Sequence, residues 1–353
     1  TMDVAQLKTL FFLPDAGDRS ATASKQPNPA ERDFARILDT MIFPKDFHLP
    51  EMDLNLYVRR VLTEKLSYDG CSLKATIRRD RTTASRFQFA LEESAFNGDA
   101  FLDLVRQPPV LGLRFSANRL DLGQLLEAFG VADGIDAGAG SFDVIVTTSG
   151  RRLAELIVQR EISVRVQQGQ WVLTNANTGA AVAIGIDSAE FSDKPGDPFH
   201  LDVGGHIQDT PLTMRWEIQK KRPNDAPDDG HPYQLETEAA GTRLALTGRL
   251  VFPLRKRGLK HRLSVSGNRL DSLEPLLTVS LPPWGPYEMT AVIRVRPEGY
   301  SLSDATVSIG DSRFLGQLHI ETAGPRPKVT ANLEATTIQL TDFGRKASAP
   351  GQG

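Results

Sequence analysis

At 353 residues the chain is long enough for two or three ordinary domains or one extended one. Its 40% hydrophobic and 24% charged residues exclude a disordered chain, and a net charge of −3 argues against a general nucleic-acid binder. Cys71 is the single cysteine, which excludes an internal disulfide framework, and no run approaches eighteen consecutive apolar residues, so no bilayer-spanning helix is predicted.

The chain begins in mid-phrase at Met2-Asp3-Val4, so an excised piece of a longer protein is expected, with any anchor or targeting signal outside it. Residues 14–30 are polar and low in complexity and read as a loop or linker. Ala30 to Met41 has a helical pattern, with Asn28 as cap and Pro29 in the first turn. Residues 1–50 are therefore expected to be the end of a preceding repeat, a linker and a short helix.

From residue 51 the period changes from helical to two. Met52, Leu54, Leu56 and Val58 share one face, with Asp53, Asn55, Tyr57 and Arg59 on the other. The same alternation runs through Leu111, Leu113 and Phe115, through Phe142, Val144 and Val146, and through Ile162, Val164 and Val166. It continues in Leu212, Met214, Trp216 and Ile218, in Leu263 and Val265, and in Met289, Ala291, Ile293 and Val295. Roughly twenty strands follow from this pattern, parted by Gly, Pro, Asn and Asp clusters. Helical signals are few: Leu122 to Phe129, ended by Gly130, and a turn over Arg151 to Val158. Lys220 to Pro232 reads as the loop of an extended hairpin, and residues 345–353 as a linker.

One phrase recurs. Phe115-Ser-Ala-Asn118-Arg119-Leu120-Asp121 returns as Val265-Ser-Gly-Asn268-Arg269-Leu270-Asp271, each time before a short apolar stretch. Weaker copies lie at Leu333 to Gly344 and at Met2 to Phe11. A repeated strand unit cannot bury its apolar face alone and needs neighbours stacked beside it. The uneven spacing marks strand blocks of unequal size. Strands apolar on one face and charged on the other form an antiparallel sheet that is covered on one side. Helix is too scarce here to cover twenty strands, so the sheet either folds on itself as a sandwich or barrel, or curls into an open trough.

Signals for catalysis are weak. His200 and His206 flank Gly204-Gly205 and read as solvated turn residues, since no third zinc ligand stands at suitable spacing. Asp225 to Gly230 lacks the alternating oxygens and closing Glu of a calcium loop, and no helix follows the glycines at 134–140 to hold a phosphate. No catalytic residue, metal or cofactor is assigned. The basic runs Arg78 to Arg81, Lys220 to Arg222 and Arg255 to Arg262 read as solvated strand edges, with attraction of anionic headgroups as the alternative. Trp284, within Pro282-Pro-Trp-Gly-Pro286, is expected to cap an end of the sheet.

The stretch Val265 to Leu277, then Leu281-Pro-Pro-Trp-Gly-Pro-Tyr287, resembles the AsmA family of bacterial envelope proteins. Gly299 to Ile320, with its Gly310-Asp311-Ser312, and Pro325-Arg-Pro-Lys-Val-Thr-Ala-Asn-Leu-Glu-Ala335 continue the likeness, and Met52 to Ile218 is similar too. The resemblance implies a periplasmic protein anchored in the inner membrane. It also implies kinship with TamB-like, bridge-like lipid transfer proteins, in which a long curved sheet forms a trough for phospholipid acyl chains.

The expectation is thus a mainly β protein: an elongated, twisted antiparallel sheet curled into an open trough over residues 51–344, with a few short helices. Its function would be non-enzymatic transport of phospholipid or another acyl lipid between inner and outer membrane, with no nucleic acid bound. Leu113, Phe115, Val144, Val146, Val164, Val166, Met214, Trp216, Val265, Ile293 and Val295 are the expected groove lining. The alternative is a scaffold or outer-membrane assembly factor that docks envelope proteins by edge pairing. A carbohydrate-acting β protein fits less well, since only 7% of residues are aromatic and no acidic pair stands out.

Overall fold

A computed structural model describes residues 39–44, 50–62, 67–78, 83–91, 94–121, 135–136, 139–174, 181–220, 230–250, 260–277, 280–296, 299–321 and 328–343. The helices expected at Ala30–Met41 and Leu122–Phe129, the acidic loop at Asp225 and most of the basic runs fall largely or wholly outside these residues. The chain divides into two compact units. Unit 1 is Thr1–Val203 with Gln219–Pro227, and unit 2 is Gly204–Ile218 with Asp228–Gly353.

In unit 1, strands β1 (Met52–Leu62), β2 (Ser67–Ile77), β3 (Thr83–Leu91), β4 (Ser94–Asp103) and β5 (Val110–Asp121) pair in chain order, each antiparallel to the last. The two-residue β6 (Ile135–Asp136) lies against β8 (Glu161–Thr174). Strand β7 (Ala139–Ser149) pairs with β5 and β8, and β8 with β9 (Ala181–Asp193). The turn expected after Arg151 is helix α1 (Leu153–Val158). Its first turn is held by Glu155, whose carboxylate accepts from the Arg151 and Arg152 amides at 2.7 and 3.3 Å. Those amides hold the Glu155 carboxyl below the usual carboxylate range.

Strand β10 (Phe199–Ile207) corrects one expectation. It runs straight through Gly204-Gly205, and the turn comes after it at Gln208-Asp209. His200 and His206 are half-buried strand residues, not solvated turn residues. Glycine weakens a strand without forbidding one, and here ladder pairing overrides the local turn signal.

In unit 2, β11 (Thr210–Ile218), β12 (His231–Ala239), β13 (Thr242–Leu250) and β14 (Lys260–Gly267) pair in sequence. A 3-10 turn (Leu270–Leu273) then runs into helix α2 (Glu274–Leu277), over the short apolar stretch that follows the recurring phrase. Strands β15 (Tyr287–Arg296), β16 (Gly299–Ile309), β17 (Ser312–Glu321) and β18 (Lys328–Thr337) complete the unit, all antiparallel. The Gly310-Asp311-Ser312 turn is fixed by Asp342, which accepts from the Asp311 and Ser312 amides at 3.0 Å and from Ser312 Oγ at 2.7 Å. Beside it the Trp284 ring meets Phe343 edge-on, 4.9 Å between centroids.

Among the described residues strand makes up 73% and helix 7%, so the described helices are too short to roof these sheets. The sheet is antiparallel and does not close into a barrel, which is the expected fold class. Fully buried apolar clusters are small. Phe96, Ala117 and Leu120 form one in unit 1, and Ala291, Leu302 and Ala305 form another in unit 2.

Both clusters sit on β-bulges. Between Ala117 and Leu120 strand β5 carries one residue more than β7, and Arg119 takes φ +55°. Between Leu302 and Ala305 strand β16 carries one more than β17, and Asp304 takes φ +52°. The extra residue shifts the side-chain phase, so an odd and an even position face the same way. Ala117 with Leu120, and Leu302 with Ala305, are buried together for that reason.

Candidate functional site

Ladder pairing turns the alternation into continuous rows. In unit 1 one row runs Leu56, Leu73, Phe87, Gly98, Phe115, Val144, Val164, Phe191, each opposite the next across neighbouring strands. Beside it runs Ala100, Leu113, Val146, Ile162, and on its other flank Phe89, Phe96, Ala117, Phe142, Val166, Ala189. The gap at Gly98 is filled by the Phe87 ring, which would lie 2.0 Å from a Cβ placed there. Phe89 and Phe96 stack at 4.6 Å, and Phe96 and Phe115 at 5.5 Å.

The opposite face of unit 1 is charged and paired. Arg86 meets Asp99 at 3.0 Å, Arg114 meets Asp143 at 3.0 Å, and Arg165 meets Glu190 at 2.8 Å. At the first strand pair Arg78 meets Asp53 at 2.9 Å and holds that carboxyl below the usual range. These pairs lie largely in water and each contributes little to stability. Their effect is to fix which side of the sheet faces water.

Six of the eleven expected lining residues share the apolar face of unit 1. Leu113 lies opposite Val146, Phe115 opposite Val144, and Val144 opposite Val164, with Val166 in the flanking row. The other five share a face of unit 2. Val265 lies opposite Met289 in a row that reaches Met214 through Leu244 and Thr237, and Trp216 begins the next row with Leu235, Leu246 and Leu263. Ile293 lies opposite Leu302, and Val295 opposite Tyr300. All eleven keep solvent contact: Leu113 is 39% exposed and the rest are half-buried. Side chains between two packed sheets would be largely sealed from water.

Polar side chains interrupt the unit 2 face. The Tyr233 hydroxyl and His261 Nδ1 are 2.8 Å apart, and both residues are buried. Gly248 makes room for them, since a Cβ there would stand 2.5 Å from His261 Nδ1 and 3.2 Å from Tyr233 Cε1. Burial pushes the Tyr233 phenol up to about 12 and holds the His261 imidazole below its usual value. His261 belongs to a run expected to be a solvated edge, and the structure corrects that expectation. It alternates in phase with Leu263 and Val265, so it points to the apolar side. A second couple joins Thr242 Oγ1 and the Tyr287 hydroxyl at 2.6 Å.

Three long-range residues meet at the end of one unit 1 row. Asp193 lies opposite Ile162, and its carboxylate contacts Lys220 Nζ at 2.7 Å and Arg160 Nη2 at 3.4 Å. Sequence inspection could not have joined them, because only strand register brings positions 160, 193 and 220 together. Leu56 belongs to an alternation the sequence shows outright, and register adds Leu73, Phe87 and Phe191 to its row.

Among the described residues, no helix is long and apolar enough to cross a membrane. No family model matches the chain, and no solved structure matches it. The chain is similar to the AsmA family protein YhjG of Escherichia coli (strain K12), with 31% identity over 158 residues. That match covers 43% of this chain and 23% of the relative, so the chain spans under a quarter of the relative's length. Beside the phrases at Val265 to Tyr287 and the open antiparallel sheet, this is a likeness to one member of the AsmA family over part of the chain.

Proposed function

We propose that this chain is a segment of a non-enzymatic lipid conduit in the bacterial cell envelope. Phospholipid acyl chains would lie on the apolar faces while headgroups stay in water, moving between inner and outer membrane in a periplasmic protein anchored by a segment outside this one. The observation that carries this reading is an apolar face that crosses strand after strand yet keeps its Leu, Val and Phe side chains in part exposed. Exposed apolar patches of this kind mark surfaces with an apolar occupant. Each methylene taken from water onto such a face contributes about 0.8 kcal/mol, and the contacts have no direction, so a chain can slide along them. No bond is made or broken.

Native mass spectrometry of protein released gently from membranes tests this. Co-purifying phospholipid is expected, displaced by added acyl lipid. Bare protein under every mild condition refutes the conduit.

One observation favours a second reading, an envelope scaffold. All ten residues of β18 are exposed, with Val329 60% exposed, so β18 could accept a strand from a protein partner. A stoichiometric protein partner without lipid would favour that reading over the conduit.

A further inference from the structure

The charged cluster of unit 1 stands on the otherwise apolar side of the sheet. Along β9, Ala189, Phe191 and Asp193 alternate onto that side, and Asp193 ends the row formed by Leu113, Val146 and Ile162. The Asp193 side chain is only 4% exposed, while those of Arg160 and Lys220 keep 20% and 24%. Solvent thus reaches part of the two cationic side chains and almost none of the carboxylate. Two cations converge on this one carboxylate.

Both cations are held in place. Arg160 Nη1 donates to the Ile157 carbonyl at 2.9 Å, near the end of α1. Lys220 donates to the Lys194 carbonyl and stands 5.0 Å from the centroid of the Phe199 ring, which stacks on Phe191 at 6.4 Å. A pair of long cationic side chains fixed by a buried carboxylate, beside apolar surface, has the makings of an anion site. An incoming phosphate would find its donors already oriented, and so would pay little ordering entropy.

We propose that Arg160 and Lys220, positioned by Asp193, receive the phosphate of a phospholipid whose acyl chain lies across Ile162, Val146 and Leu113. This rests on the conduit reading and adds to it a fixed headgroup station. The row from β9 to β5 crosses three strand spacings, about 14 Å. That is close to the hydrocarbon depth of one bilayer leaflet, about 15 Å. Charge and apolar row are thus matched in scale to one lipid.

Calorimetric titration of the 353-residue chain with dioctanoyl phosphatidylglycerol and with dioctanoylglycerol, both as monomers, tests the station. The two share acyl chains and differ in the phosphate headgroup. The phospholipid is expected to bind about tenfold tighter, the effect of one charge-assisted contact. Lys220→Gln should reduce that preference to about twofold or less, Lys220→Arg should keep it, and dioctanoylglycerol should bind all three proteins alike. Equal affinity of the unaltered protein for both lipids overturns the station and leaves the conduit standing. Binding of neither lipid overturns both. Inorganic phosphate that competes as strongly as the phospholipid overturns the lipid as source of the anion. Should Lys220→Gln fail to fold, the comparison of the two lipids on the unaltered protein still decides.

Discussion

Replacing Val144 and Val164 together by Asp separates an open apolar face from a sealed core. The two residues lie directly opposite on β7 and β8, and each is half-buried. Full burial of a valine contributes about 1.5–3 kcal/mol, so losing half of it costs about 1 kcal/mol at each site. Two like charges placed opposite add about 0.2–1 kcal/mol. On an open face both carboxylates stay hydrated, and the total is about 2–3 kcal/mol. In a covered core each unpaired buried carboxylate costs about 3–5 kcal/mol, and the total passes 6 kcal/mol. Hydrogen exchange read by mass spectrometry on peptides from β7 and β8 measures this locally, without requiring the two units to unfold as one. Exchange there should quicken by about 30- to 150-fold. Retained lipid should fall sharply in the same variant. Loss of folded unit 1, or a cost above about 6 kcal/mol, would show that these side chains are sealed core and refute the open face. A mild cost with lipid retention unchanged would remove this face from the lipid path.

Gly248→Ala should destabilise unit 2 by about 1–3 kcal/mol, because the new methyl drives His261 from the Tyr233 hydroxyl and strands buried polar atoms; chemical denaturation followed on unit 2 checks it. The His261 imidazole is held below its usual value, so the unfolded chain binds more protons in the window just under pH 6.5. Unit 2 should therefore keep its full stability above about pH 6.5 and lose some as pH falls toward the lowered value; a denaturation series from pH 8 to 5 should show that slope, weakened in His261→Phe. Arg114→Ala, by contrast, removes an ion pair on the polar face of unit 1, and denaturation followed on unit 1 should be nearly unchanged; a clear loss of unit 1 stability would contradict its surface character.

The alternation of apolar and polar residues carried most of the fold, because a one-sided sheet writes its exposure directly into every second residue. Strands β1, β5, β7, β8 and β11 were legible on that basis, and so was the shared face of Leu113, Phe115, Val144 and Val164. The misreadings have definite causes. Gly204-Gly205 carries a local turn signal that ladder pairing overrides in β10. His261 sits in a basic run yet is in phase with Leu263, and only Gly248 across the ladder gives it room. Asn118-Arg119 and Ser303-Asp304 look like ordinary polar strand residues, but each pair contains the extra residue of a bulge. Two copies of one phrase also take different backbones. Arg119 is at φ +55° inside β5, whereas Arg269 is extended at φ −150° just before a 3-10 turn.

The bulge at Ser303-Asp304 has a mechanical consequence. Leu302 and Ala305 are tightly held on either side of it, at 4% and 1% exposure, while one backbone step between them has no opposite number on β17. Strand β16 is therefore creased at one point rather than bowed along its length. Any widening of this unit would begin along that crease, where cohesion between neighbouring strands is already incomplete, before any intact pair of strands had to part.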